Sequence, residues 1–345
     1  MVCPTMKQVW IPRIGGPDVL ELREAPDPDP AVGEVRVRVH AAGVNFADIM
    51  ARMGLYPDAP KLPAVVGYEG AGTVDAVGEG VTDIAAGSRA LAMTRFGGYS
   101  DVVCVPRNQV VPIADSLSFE KAAAIPVNYL TAWIMLIRLG NLQRGERVLI
   151  HAAAGGVGQA AVQIATWRGA EILGTASPGK HDRLNAAGVA HCIDYTSQDF
   201  ETEVARITGG KGVHVIVDAV GGKSFAKSYR SLAPLGRLFL FGASTMATGK
   251  KRSVISALSG LMAMPKFKPV PLMNENRGVF GVNMGHLWEQ SEQLIAMLGE
   301  IRELVERGVL DPVVDATFPF SKAADAHHYI QDRKNFGKVL LTPDD

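Results

Sequence analysis

Hydrophobic and polar positions alternate with period two in the first third of the chain. Glu34-Val-Arg-Val-Arg-Val-His40 puts valines on one face and charges on the other, the pattern of a half-buried strand. Residues 67–77 mix glycines with apolar side chains and read as a strand with close backbone contacts. Residues 97–106 read as a turn leading into another strand. Near Phe119 the period changes. Residues 119–124 and 129–139 carry apolar side chains at helical spacing. From there short apolar runs alternate with helical segments, with strands at 147–151, 171–176, 213–218 and 236–242 and helices at 157–167 and 180–187. This alternation predicts an α/β fold with a doubly wound parallel sheet. It lapses over residues 244–276, which read as an insertion or long excursion. A strand at 277–282 and an amphipathic helix at 287–306 follow, and residues 318–325 and 339–341 return to the texture of the first third. The order predicts a nucleotide domain inserted into a β-rich domain.

A length of 345 residues leaves room for about two such domains. Lys+Arg and Asp+Glu both total 35, so nothing in the net charge directs the chain to nucleic acid or an anionic membrane. Cys3, Cys104 and Cys192 lie far apart, with neither metal-ligand spacing nor a disulfide framework. Cys104 and Cys192 sit in apolar runs and are expected in the core. The histidines show no metal-ligand spacing, and the adjacent His327 and His328 read as surface residues. Residues 1–8 contain no apolar leader core, and no run of about 18 apolar residues occurs. The expectation is a soluble, cytoplasmic protein without a membrane span.

The most chemically informative stretch follows the strand at 147–151. It reads Ala152-Ala-Ala-Gly-Gly-Val-Gly158, with Ala153, Gly155 and Gly158 at the small-residue positions of a dinucleotide fingerprint. A pyrophosphate held at a helix N-terminus must touch backbone N–H groups, and side chains there would clash. Ala154, Gly155, Gly156 and Val157 are the candidate contacts. The alternative is glycine for strand–helix packing alone. The next strand ends near Ala176 without the carboxylate that usually binds an NAD ribose. Ser177, followed by Lys180, His181 and Arg183, offers a hydroxyl and cations suited to a 2′-phosphate, which predicts NADPH. A solvated basic helix start is the other reading.

Four runs carry a family resemblance: Gly43-Val-Asn-Phe-Ala-Asp48, Gly67-Tyr-Glu-Gly-Ala-Gly72, His151 to Gly158, and Asn335-Phe-Gly-Lys338. With them the whole chain resembles the zinc-free medium-chain dehydrogenase/reductase superfamily, and most of all its quinone oxidoreductases. The run Gly174-Thr-Ala-Ser-Pro-Gly-Lys-His181 and the insertion after Gly242 are similar to the vesicle amine transport protein branch. The resemblance implies a Rossmann NADPH-binding domain at 128–283, inserted in a GroES-like catalytic domain formed by 1–127 and 284–345. It also implies a homodimer, paired through the strand at 278–282. The superfamily's catalytic zinc ligands fall on Asn45 and Tyr68, an amide and a phenol, which are poor zinc donors beside thiolate and imidazole. Glu69 alone cannot close a site, and no cysteine lobe interrupts residues 91–97.

By the same resemblance, Asn45 orients the substrate carbonyl or the nicotinamide ribose. Tyr56 either donates to the carbonyl or walls the pocket. Tyr68 fills the space of the lost ligand, and Asp48 buttresses the loop. Thr131 packs on the nicotinamide, Tyr195 lies near the adenine, and Phe241 and Gly242 form a cofactor edge. Phe280 and Val282 flank the nicotinamide, and Asn335 and Lys338 reach back to the cofactor. Without a Lewis acid, a conjugated C=C is the natural target, because hydride addition at the β-carbon moves charge onto a carbonyl oxygen that needs only hydrogen-bond donors. The expected activity is therefore NADPH-dependent reduction of a quinone, enal, enone or enoyl thioester. The alternative is an NADPH-binding interaction protein whose 244–276 excursion carries the function. Lys250, Lys251, Arg252, Lys266 and Lys268, with Leu258, Leu261, Met262 and Met264, make an enoyl-CoA a candidate substrate, against a plain solvated basic loop or a patch for a lipid surface.

Overall fold

The computed structural model describes residues 5–247 and 260–344. Among these, residues 5–130 with 285–344 form one compact unit, and 131–247 with 260–284 form another.

The first unit is built around the alternating strand Glu34–Val44. Val35, Val37 and Val39 are buried, while Arg38 and His40 face outward. It is the hub of a seven-stranded sheet in the order Val314–Pro319, Lys338–Thr342, Glu34–Val44, Glu69–Val77, Arg89–Met93 and Val110–Pro112, with Val102–Pro106 also pairing to the hub. The outer face is tied by charge, since Asp75 takes Arg36 Nε at 2.8 Å and Arg38 Nε at 2.7 Å. Thr5–Ile11 pairs with Glu21–Pro26 and Ala64–Val65 in a three-stranded sheet. Val9, Ile11, Val37, Val74, Tyr99, Phe320 and Leu341 meet in one core. His327 lies on the helix Ala323–Gln331 and is fully buried, so its reading as a surface residue is corrected: the adjacent-histidine argument placed two faces but not the tyrosine that receives one of them.

The second unit carries six parallel strands in the order His191–Asp194, Glu171–Ala176, Arg147–Ile150, Val213–Asp218, Leu232–Leu240 and Gly278–Gly281. Counted within the unit this is 3-2-1-4-5-6, the doubly wound Rossmann order. The order reverses between Arg147–Ile150 and Val213–Asp218, so ligands of this fold class bind beyond the C-terminal ends of those two strands. Leu149, Leu173, Ile216 and Leu238 form the core, as near-continuous apolar strands require. The helix Gly156–Arg168 runs from the first strand and is stopped by Gly169 at φ 72°.

Some expectations change in detail. The helix expected at 129–139 is Pro126–Trp133 followed by a π-helical turn, Ile134–Arg138. The 244–276 excursion contains a helix, Pro269–Glu275, with Val270 and Met273 exposed. Leu261, Met262, Lys266 and Lys268 are exposed and Met264 is half-buried, while Lys250, Lys251, Arg252 and Leu258 lie outside the described residues. Cys104 and Cys192 are half-buried rather than core. Among the described residues, no helix is long and apolar enough to cross a membrane.

Candidate active site and cofactor loop

In the first unit, strand register gathers the key polar side chains. Val339 pairs with Val44, which puts Lys338 beside Asn45. Gly70 pairs with Ala42, which puts Glu69 beside Gly43. Gly43 must lack a side chain, because a Cβ there would stand 2.3 Å from Glu69 Oε1. The result is a buried triad. Lys338 Nζ donates to Asn45 Oδ1 at 2.7 Å and to Glu69 Oε1, and Asn45 Nδ2 donates to the same Glu69 oxygen at 2.9 Å. The second Glu69 oxygen accepts the Val127 N–H at 2.7 Å. Sequence reasoning placed Asn45 in the site and sent Lys338 to the cofactor. In the structure Lys338 is 2% exposed and holds Asn45. Both ends of the Asn45 amide are thereby fixed, with one amide hydrogen committed to Glu69.

A second buried chain lies behind Asn45. Asp48, on the helix Phe46–Arg52, accepts the Asn45 N–H at 2.8 Å and the Gly67 N–H at 3.1 Å, which ties two site loops together. Tyr99 Oη donates to Asp48 at 3.1 Å, His327 Nε2 lies 3.1 Å from that hydroxyl, and Arg52 Nη1 lies 3.1 Å from His327 Nδ1. A guanidinium can only donate, so Nδ1 accepts and Nε2 carries the ring proton. The polarity therefore runs from Arg52 through His327 and Tyr99 to Asp48. Burial pushes the Asp48 carboxyl up to about 7, against the pull of its hydrogen bonds and of Lys338. Burial, with Arg52 beside it, holds His327 well below the usual imidazole range, so the ring is neutral. The sequence pointed to Asp48 as a buttress, but the Tyr99–His327–Arg52 continuation depends on contacts across more than 200 residues and had no local signal.

In the second unit, Gly155 is the N-cap of Gly156–Arg168, and Gln159 N to Gly155 O, 2.8 Å, is the first helical hydrogen bond. The N–H groups of Gly156, Val157 and Gly158 precede it, at the positive end of a 13-residue helix. The glycines serve different ends. A Cβ on Gly158 would lie 2.3 Å from Ala152 O, so packing excludes it. Gly155 has φ −77°, a backbone any residue adopts, and a Cβ there would meet only Ala152 O, at 3.3 Å, a tight contact but far milder than that at Gly158. A position without a side chain before the first N–H groups of a helix is what a pyrophosphate needs. Ala154 is buried, and Gly155, Gly156 and Val157 are half-buried. Beneath the loop, His151 Nε2 lies 3.1 Å from Ser228 Oγ, which donates to Asp218 at 2.7 Å, as does Ser224 at 2.8 Å. These residues close the ends of the two strands where the sheet order reverses.

The other expected cofactor residues are distributed as follows. Ser177 is half-buried and starts the turn Pro178–Lys180, while His181 Nε2 lies 3.2 Å from Ala176 O. Tyr195 is 40% exposed. Phe241 donates its N–H to Asp218 O, and Gly242 is exposed next to it. Phe280 stacks on Phe239 at 5.1 Å, and Val282 is buried with its N–H on Leu240 O. Thr131 is buried. Asn335 Nδ2 donates to Gly337 O, within its own turn.

The residues at the superfamily's zinc positions do not fit the metal. The Asn45 amide is bonded at both ends, an ammonium sits on Glu69, and burial keeps the Tyr68 phenol far above the range in which it ionises. Among the described residues, no group of three or more His, Cys, Asp or Glu is placed to hold a metal ion.

Two family models match the chain: an alcohol dehydrogenase GroES-like domain over residues 31–115 and a zinc-binding dehydrogenase over residues 187–341. The human synaptic vesicle membrane protein VAT-1 homolog is 41% identical over 332 residues, 95% of this chain and 84% of that protein. The Escherichia coli quinone oxidoreductase complexed with NADPH superposes with a TM-score of 0.86 at 32% identity, covering 98% of this chain and 100% of that one. The CurK enoyl reductase superposes at 0.85 with 30% identity over 98% and 99%. With the Rossmann order of one unit and the GroES-like sheet of the other, these matches make the chain a member of the medium-chain dehydrogenase/reductase superfamily, close to the VAT-1 homologs and quinone oxidoreductases.

Proposed function

We propose that this protein is an NADPH-dependent, zinc-independent reductase of the conjugated C=C of a quinone, enal, enone or enoyl thioester. The observation that carries the reading is the buried Asn45–Glu69–Lys338 triad, which sets a neutral, fully oriented amide where zinc-dependent relatives place a thiolate. NADPH supplies the hydride. Its pyrophosphate would be held by the backbone of Ala154, Gly155, Gly156 and Val157, and its 2′-phosphate by Ser177 and Lys180. Thr131, Tyr195, Phe241, Gly242, Phe280, Val282 and Asn335 would complete the cofactor surface. Residues 128–283 would form the cofactor domain, and 1–127 with 284–345 the catalytic domain. Asn45 orients the substrate carbonyl or the ribose, and Tyr56 lies on the substrate side. The NADPH complex of the bacterial quinone oxidoreductase and the enoyl reductase likeness support both cofactor and reaction class.

The test is NADPH consumption across a panel of quinones, enals, enones and enoyl-CoA thioesters, with and without chelator. The expected result is turnover of at least one acceptor that chelation leaves intact. Lys180→Ala should weaken NADPH by about tenfold or more and spare NADH, since one charge-assisted hydrogen bond contributes about 1.5–3 kcal/mol. Equal NADPH and NADH affinity in the parent would contradict the 2′-phosphate assignment. The identity with the VAT-1 homolog favours a second reading, a protein that binds NADPH and acts through interaction. Tight NADPH binding with no acceptor turned over would select it.

A further inference from the structure

Tyr68 carries a polar atom that nothing in the fold uses. The residue is 7% exposed, and its hydroxyl is sealed from solvent with no hydrogen-bond partner. Buried hydroxyls are almost always paired, so an orphan in a native site calls for a partner from outside the fold, a water or a ligand's oxygen. Its surroundings make the omission specific. Glu69, the next residue, is saturated by Lys338, Asn45 and the Val127 N–H. Asp48 is saturated by two backbone N–H groups and Tyr99. The Tyr68 ring is fixed against Phe96, with centroids 5.3 Å apart and planes tilted 51°. Burial, and then the Asp48 carboxyl and the Tyr56 phenol, push the Tyr68 hydroxyl up, so it stays protonated. The two buried carboxyls nearest Tyr68 in sequence and charge, Glu69 and Asp48, are therefore engaged elsewhere, and the Tyr68 hydroxyl keeps its donor.

We propose that Tyr68 is a catalytic residue, the hydrogen-bond donor that receives the substrate's carbonyl oxygen, acting with the second amide hydrogen of Asn45. The proposal rests on the reductase reading and names the group that meets the charge. When the two electrons of the hydride form the new C–H bond at the β-carbon, the C=C π pair moves between the α- and carbonyl carbons, and the carbonyl π pair settles on oxygen as an enolate. Tyr68 O–H donates to that oxygen throughout and keeps its own proton. Solvent later supplies the proton at the α-carbon, so substrate, NADPH and one proton give saturated product and NADP+. A phenol of raised pKa suits this role, because it donates without being converted to phenolate. Tyr56, half-buried beyond the turn at Gly54 (φ 65°), is the phenol that borders the place the substrate oxygen would take.

The test is Tyr68→Phe, which keeps the ring and removes only the hydroxyl. A purely structural hydroxyl would leave kcat unchanged. The proposal expects kcat to fall by about 10²-fold, the usual loss for one oxyanion donor, with acceptor KM little changed and thermal stability equal or higher. A second readout needs no turnover. With NADP+ bound, the carbonyl stretch of 4-phenyl-3-buten-2-one should move to lower frequency in the parent and move less in Tyr68→Phe. Parent-like kcat in the variant, or the same carbonyl shift in both proteins, would overturn the proposal. Should the parent turn over no acceptor at all, the reductase reading falls, and the carbonyl shift still decides whether Tyr68 binds the oxygen.

Discussion

Lys338 and Glu69 show what a buried pair contributes and what it requires. Their side chains are 2% and 0% exposed, so neither can be left alone at low cost. Removing one partner of such a pair typically costs about 3–5 kcal/mol, because the other charge stays buried. Lys338→Met should lose stability on that scale in urea unfolding, and adding Glu69→Gln should restore a good part of it. Simple additivity of the two losses would show that the groups are not coupled. Asp48 is the residue whose charge the fold resists. Its folded value of about 7 lies above the ordinary 3.8, so between those pH values the folded protein holds a proton that the unfolded chain has released. Its contribution is complete below about pH 4 and is lost as pH rises to about 7. The stability of the parent relative to Asp48→Asn should fall across that window by an amount on the order of 4 kcal/mol, at about 1.4 kcal/mol per pKa unit. A difference that stays flat with pH would place the Asp48 titration outside the window. Asn45 and Asp48 were legible in the sequence because they share one seven-residue helix and its cap. Glu69, Tyr99, His327 and Lys338 were named or passed over without their roles, because strand register and a distant helix create those roles.

At the scale of elements, the cofactor loop separates two uses of glycine. Gly158 is small because carbonyl oxygens crowd it, whereas at Gly155 a Cβ would meet a single backbone oxygen, 3.3 Å away, a tight contact that a shift of a few tenths of an ångström relieves. Gly155 also has the extended backbone at which serine caps a helix well. Gly155→Ser should therefore change stability by no more than about a few tenths of a kcal/mol, the cap offsetting the tight contact, while weakening NADPH at least tenfold, about 1.4 kcal/mol. Gly158→Ala should instead destabilise the protein by about 1–3 kcal/mol, as overpacking does. Calorimetry and NADPH titration of both variants check the contrast, and unimpaired NADPH binding by Gly155→Ser would remove the pyrophosphate from this turn. The strand–glycine–helix pattern was readable because strand, turn and helix are contiguous. The stretch 129–139 misled in one respect: uninterrupted apolar spacing marks a helix but does not reveal where its hydrogen bonds slip into the π form. The 244–276 excursion hid the helix Pro269–Glu275, whose two prolines and exposed Val270 and Met273 break the amphipathic pattern that would announce it.

At the scale of the whole molecule, the six-stranded sheet ends in an edge that no other strand of the described residues pairs. The strand Gly278–Gly281 has one neighbour, Leu232–Leu240, and in sheet order it is last. An edge strand is a template for another strand, and a second copy of this chain is the partner we propose for it. The geometry says which residue to change. Val282 N–H donates inward to Leu240 O, so with the two-residue period of a strand the N–H of Phe280 also faces inward, while those of Val279 and Gly281 face the open edge. Val279→Pro removes an outward donor without touching the inward ladder. If a second copy pairs at this edge, the parent should sediment at twice the chain mass and Val279→Pro at the mass of one chain, with Rossmann secondary structure and NADPH binding retained. A Phe280→Pro control should instead unfold the edge itself, because its N–H belongs to the sheet. A parent that sediments as a single chain, or a Val279→Pro variant that remains a dimer, would move the interface away from this strand.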